Sequence, residues 1–474
     1  MSDDGLIAKT AVDLVGLLRK GEVSSHELLD ALERRITAVD GAVGALPTLC
    51  FDRARKHADR LSALSVEDRG LLCGLPVPIK DLTKVAGVRT TEGSPIYADR
   101  APERSDILVE RLEAEGALVY AKSNTPEFGA GAQTFNEVFP PTRNPWDTRL
   151  SAAGSSGGAA AALASGTAWL AQGSDMGGSL RNPASFCGVV GLRPSPGRVA
   201  TGPSDTPFQV LSAKGPMARN VRDCALFLDA MTGQHASDPL SLMKPEAPFL
   251  ASLDQAPPPK RIAFSRDLGI TPVAREVADL CQSAARALEG AGVAVEEAHP
   301  DLREAHEVFQ TLRALDYATG LGPLLAEHRA LIKPEVVWNI ERGLALTAEE
   351  IAAAERKRGA LYHRAATFFE TTDLLLTPAT IVPAFPLEQR YLAECEGQAF
   401  ETYIDWLAIA YAITLTSCPA ISIPCGFTQE RHLPVGLQLV GPPRGEATLL
   451  AGALLMERLL DLGPITPIEP NVTH

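Results

Sequence analysis

The sequence predicts an α/β protein, and three observations predict it. Short apolar, strand-like runs alternate with segments of helical period along most of the chain. The composition, 45% hydrophobic and 22% charged, is that of an ordinary soluble globular protein. At 474 residues the chain exceeds the roughly 250 to 300 beyond which one hydrophobic core usually stops growing, which leaves two domains or one unusually large α/β body.

Taken in order, Val12, Val15 and Leu18, then Leu28, Leu29, Leu32 and Ile36, recur at helical spacing. Gly21 separates two helices, and Ser24, Ser25 and Glu27 supply a cap for the second. N-terminal helices therefore occupy residues 1–70. The run Leu71 to Asp81 reads as a short apolar strand closed by Lys80, with a helix over Ser105 to Glu115 and a strand over Ala117 to Ala121 following. Gly154-Ser155-Ser156-Gly157-Gly158 runs directly into Ala159 to Ala164, so these glycines shape a tight entry into a buried helix rather than a flexible linker. A linker is expected over 245–259, where five prolines cluster. Beyond it come a strand at Arg261 to Phe264, a helix at Val277 to Gly290 and a strand at Val293 to Glu297. Leu302 to Phe369 is largely helical, and late strands are expected at Leu374 to Leu376, Ile421 to Pro424 and Gly436 to Val440.

Composition also narrows function. A net charge of −14 with no dense Lys/Arg block argues against nucleic-acid and anionic-membrane partners. The opening segment, with Asp3, Asp4 and Asp13, resembles neither a secretory signal nor a transit peptide, which points to the cytoplasm. No apolar run reaches spanning length. The eight cysteines form no C-x-x-C pair and have no neighbouring histidines in ligand spacing, so they read as reduced core residues and no metal is expected.

Two segments carry candidate chemistry. In Gly173-Ser174-Asp175-Met176-Gly177-Gly178-Ser179 a serine follows two glycines whose bare backbone can turn successive N–H groups toward one oxyanion. No phosphate-binding motif accompanies it, which favours acyl chemistry. Gly154-x-Ser156-x-Gly158 formally matches a nucleophile elbow, but His363 and His432 lie in charged, ordinary contexts and offer no persuasive base. The alternative base is Lys80, whose apolar approach Leu75-Pro76-Val77-Pro78-Ile79 suits it to burial and a lowered pKa.

These residues converge on a resemblance to the amidase signature family. Gly74 to Asp81 is similar to its lysine motif, and Thr142 to Asp147 with Gly154 to Gly158 to its Gly/Ser signature. Gly177 to Ala184 with Cys187 to Leu192 resembles the nucleophile segment, and Ser179 follows Ser155 by 24 residues, as in that family. Thr377-Pro378, Pro419 to Gly426 and Leu433 to Gln438 extend the likeness over essentially the whole chain, read as one domain with a signature region at 71–230 and a part completing sheet and pocket at 260–474.

The resemblance implies a large twisted mixed β-sheet flanked on both faces by helices, and linear-amide hydrolysis. It makes Ser179 the nucleophile, Ser155 a bridging serine held by a cis peptide bond, and Lys80 the base acting through Ser155. The backbone of Met176, Gly177 and Gly178 forms the oxyanion hole, supported by Ser156, Ser174, Asp175 and Arg181. No metal or cofactor is implied, and members often form homodimers. Two residues depart from the family pattern: Ala153 replaces a common Gly and Arg193 a common Lys.

Expected substrate contacts are Thr125, Phe128, Phe135, Phe139, Phe309 and Tyr317, whose apolar character suits a hydrophobic acyl or aryl amide. Within the family, the glutaminase subunit of a tRNA-dependent amidotransferase typically carries an Asp-Gln pair in the stretch where this chain reads Thr206-Pro207-Phe208-Gln209-Val210-Leu211, which favours a free-standing amidase. An inactive binding scaffold is disfavoured because Lys80, Ser155 and Ser179 are all retained.

Overall fold

The computed structural model describes residues 3–472; Met1 and Ser2 of the opening segment, and the last two residues, lie outside them. Its centre is a mixed sheet of eleven strands. In chain order these are β1 (Thr48–Leu49), β2 (Pro76–Lys80), β3 (Leu118–Ser123), β4 (Leu170–Asp175), β5 (Val190–Arg193) and β6 (Ala213–Ala218). The set is completed by β7 (Arg261–Phe264), β8 (Ala294–Glu297), β9 (Leu374–Pro378), β10 (Ala420–Phe427) and β11 (Pro434–Val440).

Across the sheet the order is β1-β3-β2-β4-β6-β5-β10-β11-β9-β7-β8. Pairings are parallel among β3, β2 and β4 and again among β9, β7 and β8, with an antiparallel centre between them.

Side chains alternate between two hydrophobic cores, one on each face, as the period of a strand requires. Leu374 and Leu376 enter one core and Leu375 the other, and Ile262 and Phe264 are likewise divided from Ala263. The first core packs the N-terminal helices, the alanine-rich helix Gly157–Ala164 and the final helix Glu446–Leu460. The second packs the helices Ala305–His328, Ala348–Phe368 and Ala408–Leu415. Both faces of the sheet are thus covered, as the resemblance implied.

The N-terminal helices run Ala11–Lys20 and Ser25–Val43, and Ser24 and Glu27 form a reciprocal cap on the second. The expected strand from Leu71 is shorter than the apolar run: Cys73 and Gly74 adopt positive φ (52° and 97°), so the chain turns before β2 begins at Pro76. Residues 245–259 include a short helix, Phe249–Ser252, whose first N–H groups donate to the Asp229 carboxylate. Phe249 and Leu253 of that stretch are buried.

Candidate active site

The parallel wing β3-β2-β4 brings three chain segments to one place. Lys80 ends β2 and Ser174 and Asp175 end β4; Ile79 registers with Gln172, and Gln172 Oε1 accepts the Lys80 backbone N–H at 3.1 Å. The turn into the helix Gly157–Ala164 then delivers Ser155 and Ser156 onto the Lys80 side chain, and the Gly154–Ser155 peptide is cis. Gly158 is required here: a Cβ would stand 2.3 Å from the Asn124 backbone nitrogen and 2.7 Å from the Ala45 oxygen.

Lys80 is fully buried, and its Nζ lies 2.7 Å from Ser155 Oγ, 2.9 Å from Ser156 Oγ and 3.1 Å from Ser174 Oγ. Burial pushes its pKa down to about 7, with the Asp175 charge pulling the other way. A neutral amine has two N–H donors and one lone pair, so three hydroxyl neighbours can satisfy it while one of them gives it a proton.

Ser156 is committed to the interior. It is fully buried, and its Oγ donates to the Ser174 carbonyl and accepts from the Ser174 N–H. The formal elbow serine therefore has no open face, and His432 lies stacked on Phe427, 4.2 Å between ring centres.

Ser179 and Ser155 both line a cavity of ≈ 280 Å³, and the Ser156 N–H donates to the Ser179 carbonyl at 3.2 Å. Before Ser179 the backbone is fixed by Asp175. Its carboxylate accepts the N–H groups of Gly178 (2.9 Å) and Leu180 (3.1 Å) and a two-pronged contact from Arg181, Nε at 3.0 Å and Nη2 at 2.9 Å. Burial alone would raise this carboxyl, but Arg181 and Arg193 hold it well below the usual carboxylate range. Arg193, also fully buried, donates to the Asp175 carbonyl, and burial lowers its own pKa to about 10.

Of the three expected oxyanion donors, the Gly178 N–H is engaged by Asp175, whereas among the described residues the N–H groups of Met176 and Gly177, and that of Ser179, have no partner. Gly178 serves instead by its φ of 105° and by close approach, since a Cβ would meet Asn182 and Ala410 at 2.5 to 2.7 Å.

Of the expected substrate contacts, Phe128 and Tyr317 line the cavity, together with Met176, Leu82 and Leu321. Phe309 is buried against Tyr411, ring centres 4.2 Å apart, and backs Gly177. Thr125, Phe135 and Phe139 are not in the wall. Thr125 is fully buried, Phe135 lies under Lys333 and Arg390, and Phe139 under Arg89. Sequence reasoning missed Glu92, Thr206, Ser212 and Asp316, which do line it. A larger cavity, ≈ 460 Å³, lies elsewhere, between Ala8–Asp13 and Leu460–Thr466. It includes no residue of the Lys80 and Ser179 segments.

The site gathers a buried lysine amine and its serine neighbours beside a cavity that Ser179 also lines, and the comparisons with known proteins give the family. The amidase family model matches residues 27–450, and the chain belongs to that family, the amidase signature enzymes. Over 462 residues it is 33% identical to an acylamidase of Rhodococcus erythropolis, with 96% of each chain covered. Over 475 residues it is 36% identical to one subunit of the glutamyl-tRNA(Gln) amidotransferase of Moorella thermoacetica, covering 95% of this chain and 96% of that one. Among solved structures, a bacterial aryl acylamidase of the amidase signature family superposes with a TM-score of 0.88 at 27% identity, covering 95% of this chain and 96% of that one. The protein is an amidohydrolase. Among the described residues no helix is long and apolar enough to cross a membrane.

Proposed function

We propose that the protein is a free-standing amidase that hydrolyses hydrophobic acyl or aryl amides and anilides to a carboxylate and ammonia or an amine. Esters or carbamates are further substrates of the same chemistry. The observation that carries this reading is the buried Lys80 amine, 2.7 Å from Ser155 and with a pKa near 7, beside a cavity that also holds Ser179.

In this mechanism neutral Lys80 takes the Ser155 proton as Ser155 takes that of Ser179, and Ser179 Oγ attacks the amide carbonyl. The tetrahedral oxyanion faces the open N–H groups of Met176, Gly177 and Ser179; losing one such donor commonly costs about 3 kcal/mol. Collapse expels the amine, which receives its proton back along the same route. Water then enters by the reverse relay and releases the carboxylate from the acyl-enzyme. Every step is a proton shift or acyl transfer among these side chains, and the cell interior is the compartment we assign.

A second reading, the glutaminase component of a tRNA-dependent amidotransferase, is favoured by the 36% identity to a protein of that kind. It is opposed by Thr206-Pro207-Phe208-Gln209 and by the cavity wall of Leu82, Phe128, Met176 and Leu321. Two measurements decide. Treatment with a reactive fluorophosphonate followed by peptide mapping should give one adduct, on Ser179, lost in Lys80→Ala. A panel of aryl, aliphatic and small polar amides should then favour the hydrophobic members; glutamine or malonamate turned over far better than any of them overturns the free-standing reading.

A further inference from the structure

Part of the cavity wall comes from the helix Ala305–His328, through Asp316, Tyr317, Gly320 and Leu321. The other acidic wall residue, Glu92, is already paired with Arg100 at 2.6 Å. Among the described residues no lysine or arginine lines this cavity.

Asp316 is different. Its Oδ1 accepts one hydrogen bond, from Gln209 Nε2 at 3.0 Å, and among the described residues no cation lies within ion-pair distance of it. The neighbouring Arg313 acts on Asp316 only through its charge, its N–H groups being donated to Asn339, Tyr403 and Tyr317. Arg358 and Glu355 line a separate groove that also touches Asp316 and Thr206, and neither contacts the carboxylate. Asp316 is thus a half-buried carboxylate with an unfilled acceptor side, in a wall that also carries Glu92, Thr206 and Ser212, and its burial outweighs what the Gln209 hydrogen bond and the nearby Arg313 charge return to it. A ligand can supply one.

We propose that Asp316 is a specificity-determining residue that binds a protonated amine on the substrate, so that the preferred amides have an apolar body ending in an ammonium group. The inference rests on reading this cavity as the one that receives substrate. Leu82, Phe128, Met176, Tyr317 and Leu321 take the apolar body, Ser179 meets the amide, and Asp316, held by Gln209 from the adjoining groove, meets the cation. No step of the bond-breaking chemistry passes through Asp316.

The test measures binding and turnover separately with three matched anilides: 5-aminopentanoyl, hexanoyl and glutaryl, which present a cation, a methyl and an anion at the same reach. Calorimetric Kd values on Ser179→Ala protein should favour the aminopentanoyl compound about tenfold over the hexanoyl one, as expected of one charge-assisted contact. The preference should shrink with added salt, collapse toward unity in Asp316→Asn and return in Asp316→Glu. Equal Kd values, or no binding of any of the three, overturn the proposal. A tightest glutaryl compound also overturns it. Wild-type turnover is scored independently: a cation preference in binding with no hydrolysis of any amide keeps Asp316 assigned and sinks the amidase reading instead.

Discussion

Arg181 clasps Asp175 with two parallel N–H groups, both at about 3 Å, and the same carboxylate holds the backbone N–H of Gly178. The turn that leads to Ser179 is therefore tied to a buried ion pair rather than to its glycines alone. Removing one partner of such a pair is expensive because the other charge is left buried. Asp175→Asn should lower kcat by at least about a hundredfold. Because Asp175 is the group that opposes the downward shift of Lys80, the acid limb of kcat/KM should also move to lower pH. A pH–rate profile that falls in height without moving would sever the electrostatic link.

The wild-type profile follows from Lys80. A base must be neutral, and burial sets its pKa to about 7. The rate should rise roughly tenfold per pH unit below that value and level off above it. Lys80→Met should remove the limb together with most of the activity, a loss of about a thousandfold or more. An unchanged limb in the residual activity would assign it to another group.

Stability should respond to the same group. Lys80 titrates near its ordinary 10.5 when unfolded and near 7 when folded, so between those values the unfolded chain binds more protons. The depressed pKa costs stability in full below pH 7 and the cost is relieved as pH rises toward 10.5. Chemical denaturation of wild type should thus gain stability over that window relative to Lys80→Met. A constant difference between the two proteins across the window would show that Lys80 is not held neutral.

Ser155 and Ser156 both touch the Lys80 amine, but only Ser155 reaches the cavity. Ser155→Ala should abolish fluorophosphonate labelling of Ser179, whereas Ser156→Ala should slow it about tenfold by loosening the lysine. Intact-mass time courses distinguish them, and equal losses would place both hydroxyls in one relay.

Gly158→Ala should cost about 3 kcal/mol or more, because the added methyl meets main-chain atoms of Asn124 and Ala45 that cannot turn aside. A thermal melt within a degree or two of wild type would mean the helix can shift.

Much of the architecture was legible because the apolar runs are long and well punctuated: the strand Arg261–Phe264 and the cap at Ser24 stand where the sequence puts them. The proximity of Lys80 to Ser155 was legible from a motif. What sequence could not supply was direction. Gly178 N–H is spent on Asp175 because of how one carboxylate is aimed. Phe135 and Phe139 are near the cavity residues in sequence, yet their rings lie under cations of other segments and outside the cavity wall. Asp316 sits mid-helix, where a polar residue ordinarily faces water, and only the tertiary packing of that helix turns it to the wall.

The side chains proposed to break the bond all lie between residues 80 and 179, on neighbouring strand ends and the turns beside them, while part of the cavity wall comes from a helix that begins at residue 305. Lock and key are thus written in different parts of the gene. Exchange of the 305–328 segment with that of another family member, with Phe309 kept against Gly177, should change which compound is admitted.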